Sequence, residues 1–163
     1  MTRIQRRTLW ISIVGVLAVL AYAVLAALQI LVLNPLAAAP GLTMNEIRFA
    51  MAEARENLGQ GAVFSVLGIG VALAVAVAVV SVVRRADPVV PAMTFLALLM
   101  LGAVGYFVAS FGAGMALADT FGISGADYSP WARPLYVVSA LAAVAIVVGG
   151  AMAVMRSRHP AQP

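Results

Sequence analysis

The chain has 163 residues, of which 64% are hydrophobic and 10% charged, with a formal net charge of +4. Soluble domains carry roughly 25% charged residues, so an ordinary water-soluble core is excluded. The positive balance does not mark a nucleic-acid binder, because the basic residues stand in short clusters beside apolar runs rather than across a folded face.

Arg3, Arg6 and Arg7 precede the first apolar run, residues 10–33. A helix needs about 20 apolar residues to cross a bilayer core. This run is long enough and has no ionisable group. Signal-peptide apolar regions are about 7–15 residues long, so the run is expected to be a retained span. Tyr22 and Gln29 lie two helical turns apart on it and share a face. Trp10 sits where the run would enter the membrane, a position that favours amphipathic rings.

Pro40 and Gly41 mark a turn after the first span. Thr43 stands three residues before Glu46, which is the spacing of a capping box. Met44, Ile47, Met51, Ala54 and Leu58 then recur at steps of three and four, an amphipathic stripe. A helix over 43–58 is predicted, stopped by Gly59-Gln60-Gly61. Phe49 falls off the stripe and needs separate shelter. Three fates are open to this helix: lying in the lipid interface, capping the protein's own outer mouth, or docking a partner. Ile47, Phe49, Met51 and Leu58 are the candidate interface residues.

Residues 62–83, 92–118 and 135–155 complete a set of four uncharged apolar runs. Small residues permit close helix approach in lipid. Three stripes are expected to pack centrally: Gly61, Ser65, Gly68, Ala72 and Ala76 in the second run; Gly102, Tyr106, Ser110 and Gly114 in the third; Ala145, Gly149 and Ala153 in the fourth. Tyr22, Gln29, Tyr106 and Ser110 form a candidate polar set, either lining a cavity or bonding between helices. The predicted fold is an all-α membrane protein. It is a bundle of four transmembrane helices, with an additional outer amphipathic helix between the first and second, in a single domain over 1–163.

All ten basic residues are arginines. Arg84, Arg85, Arg156 and Arg158 join the N-terminal three on one side of the predicted topology. Arg48, Arg55 and Arg133 fall on the other. Cytoplasmic flanks are enriched in Arg and Lys, so the tails 1–9 and 156–163 are predicted to be cytoplasmic. Glu46, Glu53, Glu56, Asp119 and Asp127 fall outside. Arginine without lysine, together with abundant Ala, Val and Gly, points to a bacterial cytoplasmic membrane.

The lone histidine, His159, lies in the polar tail, and there is no cysteine. Zinc, haem and thiol chemistry therefore lack ligands. No phosphate loop or nucleophile–base set occurs. No cofactor is called for. The expected function is a non-catalytic accessory or structural membrane component. Its partners would be the bilayer and other membrane proteins, or a second copy. The alternative is a passive transporter or channel, or a binder of a lipophilic ligand.

Overall fold

The computed structural model describes residues 3–158, and His159 lies outside them. Five helices follow one another: α1 (Arg3–Ala38), α2 (Met44–Glu53), α3 (Gln60–Val83), α4 (Val89–Phe121) and α5 (Ala132–Arg158). Four of these are long and apolar enough to cross a membrane: α1, α3, α4 and α5 over Ala132–Met152. Each exceeds its predicted run, because polar and proline residues at the ends continue the helix. α1 packs on α3 and α4, α3 on α4, and α4 on α5.

The Thr8 hydroxyl donates to the Ala86 carbonyl at 2.9 Å. That contact brings Arg3, Arg6 and Arg7 to the same end of the molecule as Arg84 and Arg85. At the opposite end, Ile47 and Met51 of α2 enter a core that also holds Ala38, Leu58, Val63 and Leu117. Ile47, Met51 and Leu58 of the stripe are thus covered by the chain itself, while Ala54 is exposed and Phe49 remains 66% exposed.

α2 begins as its sequence predicts. Thr43 Oγ1 accepts from the Glu46 N–H, and the Glu46 carboxylate accepts from the Thr43 N–H at 2.7 Å. Its end differs from the prediction. The helix stops at Glu53, and Arg55 takes the left-handed conformation (φ 60°). The Glu56 N–H bonds to the Met51 carbonyl and the Arg55 N–H to the Ala52 carbonyl, a Schellman closure. This early turn carries Leu58 back into the core on non-helical backbone. Gly59, also left-handed, precedes α3 instead of ending α2.

Bonds from the Thr43 N–H, then from its hydroxyl, hold the Glu46 carboxyl below the usual carboxylate range. A depressed folded value means that the stabilisation is present above the unfolded value and is lost as pH falls through the folded one. The first-turn amides of α2 are therefore expected to lose protection, measured against their intrinsic exchange rates, as pH drops through the acid range. Glu46→Gln should abolish that pH dependence in a hydrogen-exchange measurement; a dependence surviving the substitution would assign it to another group.

The small-residue stripes divide. In α4, Gly102 faces the Tyr22 ring, Tyr106 is buried and Gly114 faces the Gly125 backbone of the loop, while Ser110 is only half-buried. In α3 the expectation fails. Gly61, Ser65, Gly68, Ala72 and Ala76 are all exposed, and a Cβ built at Gly61 or Gly68 would meet nothing within 4 Å. Bulky α3 residues fill the interior instead: Val63 and Leu67, with Ala74 between α1 and α4. In α5, a Cβ built on Gly149 would lie 3.6 Å from the Met93 sulphur, Ala145 is exposed, and the side chain of Ala153 lies outside those described.

Candidate functional site

Gln29, Asn34 and Ser129, all buried, gather where α1 meets the 122–131 loop, and the geometry originates in one turn of α1. Residues Gln29–Leu33 form a π-helical turn, in which the Asn34 N–H bonds to the Gln29 carbonyl. Pro35 follows at once. A proline inside a helix crowds the carbonyl four residues back; here that carbonyl is Leu31's, inside the widened turn. In an α-helix, residues five apart stand about 140° apart around the axis. A π-turn bonds residues five apart and brings them to one face. Gln29 and Asn34 consequently both point inward, 0% and 7% exposed.

Each reaches the same loop. Asn34 Oδ1 accepts from the Tyr128 N–H at 2.7 Å and the Ser129 N–H at 3.3 Å. Gln29 Nε2 donates to the Ser129 carbonyl at 3.5 Å. Gln29 Oε1 is buried with no hydrogen-bond partner. The loop thus fixed presents Asp127 to two tyrosines. The Tyr106 hydroxyl donates to one carboxyl oxygen at 2.5 Å, and the Tyr136 hydroxyl to the other at 3.3 Å. The two rings meet edge to face at 5.6 Å between centroids. Deeper, the Ser139 hydroxyl donates to the Leu99 carbonyl at 2.8 Å and lies 3.3 Å from the Tyr22 hydroxyl.

Of the candidate polar set, Gln29 and Tyr106 are brought to the same loop, Gln29 through the Ser129 carbonyl and Tyr106 through Asp127. Tyr22 sits deeper, on Ser139. Ser110 is not part of the cluster; its hydroxyl bonds the Phe107 carbonyl of its own helix at 3.2 Å. Asn34, Ser129 and Tyr136 complete the cluster, with Asp127 at its centre. Asp127 reads in the sequence only as one of several outer carboxylates. In a regular α-helix Asn34 would stand about 140° from Gln29, and its adjacent Pro35 is the local signal of a change in pitch.

An apolar cavity of about 210 Å³ lies nearby between α1, α3 and α4, lined in part by Tyr22, Gly70, Gly102 and Gly105. Gln29, Tyr106 and Ser110 do not line it. Among the described residues no three His, Cys, Asp or Glu side chains gather as a metal site. Chemically, the cluster joins α1, α4, α5 and a loop through hydrogen bonds that its own members supply.

Tyr106→Phe removes the shortest of these bonds while leaving the ring contact. The expected loss is about 1–2 kcal/mol, toward the top of the range for interhelical bonds. Ser110→Ala should change stability by less than about 0.3 kcal/mol, since it breaks only a bond within its own helix. Unfolding in detergent with increasing denaturant compares the two. Equal effects would refute the separation of Ser110 from the cluster.

No family model matches the chain, and no curated protein or solved structure matches it at a significant level.

Proposed function

We propose that this is a multi-pass integral membrane protein acting without catalysis, as an accessory or structural component of a bacterial cytoplasmic membrane. Its working surfaces are helix faces. The observation that carries this reading is the unoccupied face of α3. Gly61, Gly68, Ala72 and Ala76 lie along it, open to the exterior. Helices in lipid associate through such close-approach faces, and this one has no partner helix among the described residues.

The membrane itself is supported by what the four long helices expose. Val24, Ile69, Phe111, Leu141 and Val147 all point outward, each at least 58% exposed. Water does not tolerate so continuous an apolar exterior on a monomer. Hydrocarbon accepts it, because a helix satisfies most of its backbone groups within itself. The arginine distribution favours a topology with both termini in the cytoplasm and α2 and the 122–131 loop outside. Phe49 is then the residue of α2 free to enter the outer interface or touch a partner.

The cluster around Asp127 fits the same reading. Asn34 and Gln29 hold the loop backbone and Asp127 accepts from two tyrosines, which suits a clamp on the loop, although Gln29 Oε1 is left without a partner. The alternative of passive transport or lipophilic-ligand binding draws on the cavity beside Tyr22. At about 210 Å³ this is smaller than the roughly 300–1,000 Å³ of most ligand pockets.

Two measurements test the proposal. Single cysteines at Ala52, Ala86 and Ala126 can be probed with an impermeant thiol reagent on intact cells. Labelling is expected at Ala52 and Ala126 and not at Ala86; the reverse pattern inverts the topology. Ala72→Cys with a short thiol crosslinker in native membranes should give an adduct, and adding Gly68→Leu should remove it. An adduct at twice the protomer mass identifies self-association, and another mass identifies a different membrane protein. Absence of any adduct would remove the contact function.

A further inference from the structure

We infer that the N-terminal face of α1 is a binding site for a single anionic phospholipid, with the phosphate held by Arg3 and Arg7 and an acyl chain lying between α1 and α4. The inference rests on the membrane reading above. Arg3, Arg6, Arg7, Trp10 and Ile11 line a surface hollow of about 450 Å³. Trp10 and Ile11 also open an apolar groove of about 340 Å³, which runs between α1 and α4 past Val14, Phe95 and Leu99. The two shared residues make the hollow and the groove one path, cationic at the mouth and apolar along its length.

That sequence of surfaces matches the parts of a phospholipid. Arg3, Arg7 and Trp10 follow at steps of four and three, so they share a face of α1. A guanidinium presents a planar fork that matches phosphate oxygens. Basic pockets at the cytoplasmic ends of membrane helices attract anionic head groups in this way. The competing counter-ion is weak here. Asp87 stands at this end of the molecule, and its carboxylate already accepts from the Val89 N–H at 2.9 Å. Arg84 and Arg85 add to the positive field on the same side. The groove is open to the surrounding hydrocarbon, with Trp10 57% and Val14 60% exposed, so a lipid can enter sideways. A zwitterionic lipid would fill the groove equally well but would bring no net charge to the arginines. The α1–α3 groove begins near this end too, but shares no lining residue with the arginine hollow.

Trp10 is a reporter already in place. The chain has two tryptophans, and Trp131→Phe leaves Trp10 alone. The variant is reconstituted into phosphatidylcholine vesicles containing a small fixed fraction of bromine-labelled lipid, either phosphatidylglycerol or phosphatidylcholine. Brominated phosphatidylglycerol is expected to quench Trp10 at least twofold more than the same fraction of brominated phosphatidylcholine. Adding Arg3→Gln and Arg7→Gln, both on the exposed surface, should equalise the two. Equal quenching before that change overturns the lipid site and leaves the membrane reading standing. A preference that survives the double change also overturns it. Quenching by neither lipid takes down the membrane reading and the site together.

Discussion

Gly15→Ala is expected to destabilise the protein by about 1–3 kcal/mol in the native background and to become neutral or favourable once Phe95 is replaced by alanine. The reason is steric. A Cβ built on Gly15 would fall on the Phe95 ring, which is 3% exposed and packs with Val19 and Ala74. Overpacking of a tight contact costs about 1–3 kcal/mol. Removing Phe95 alone forfeits packing on both helices. In soluble proteins Phe→Ala costs about 3–5 kcal/mol, part of it transfer from water. Between helices in lipid that part falls away, leaving on the order of 2 kcal/mol from lost dispersion contacts. With the ring gone, the added methyl at position 15 fills space, and alanine carries about 1 kcal/mol of helix propensity over glycine. A double-mutant cycle in detergent should give a coupling of about 2 kcal/mol or more. Additive effects would show that Phe95 does not occupy the Gly15 notch.

Which features were legible from sequence follows the range over which each signal acts. The four long helices were readable because they depend only on the length and composition of each run. The capping box at Thr43 and Glu46 was equally local, and it is present. The end of α2 was not readable. Its stop rests on Arg55, a residue with no preference for the left-handed conformation, held there by the need to bury Leu58. The stripe on α3 was read correctly as small and wrongly as central. Helical periodicity places residues on a common face, but the choice of face turned inward belongs to the neighbouring helices. The polar cluster was half legible. Gln29 and Tyr106 are visible as polar residues in apolar runs. Asp127 lies in a loop, and its pairing with Tyr106 spans two elements. Asn34 was hidden by the change from α to π pitch, which the 3.6-residue rule does not anticipate.

That change of pitch makes Asn34→Ala the second substitution with a large expected effect, about 2–3 kcal/mol. One side-chain oxygen serves two loop amides, Tyr128 N–H and Ser129 N–H. Truncation leaves both donors without a partner, and a buried unsatisfied donor costs about 1–3 kcal/mol. Ser129 is buried and bears the full penalty. Tyr128 is 39% exposed, so its amide recovers part of the loss by bonding water. The consequence extends beyond the loop backbone, because Asp127 is the next residue in the chain. Once 128 and 129 are free, Asp127 is no longer held against Tyr106 and Tyr136, and the bonds to both hydroxyls weaken together. Asn34→Ala and Tyr106→Phe should therefore be less than additive when combined. Leu36→Ala, on the exposed side of the same turn, is the control and should change stability by less than about 0.5 kcal/mol. Denaturant unfolding of the unsubstituted protein and these four variants in one detergent decides the matter. Should Asn34→Ala unfold alongside Leu36→Ala, the π-turn would not be anchoring the loop, and the clamp around Asp127 would need another origin.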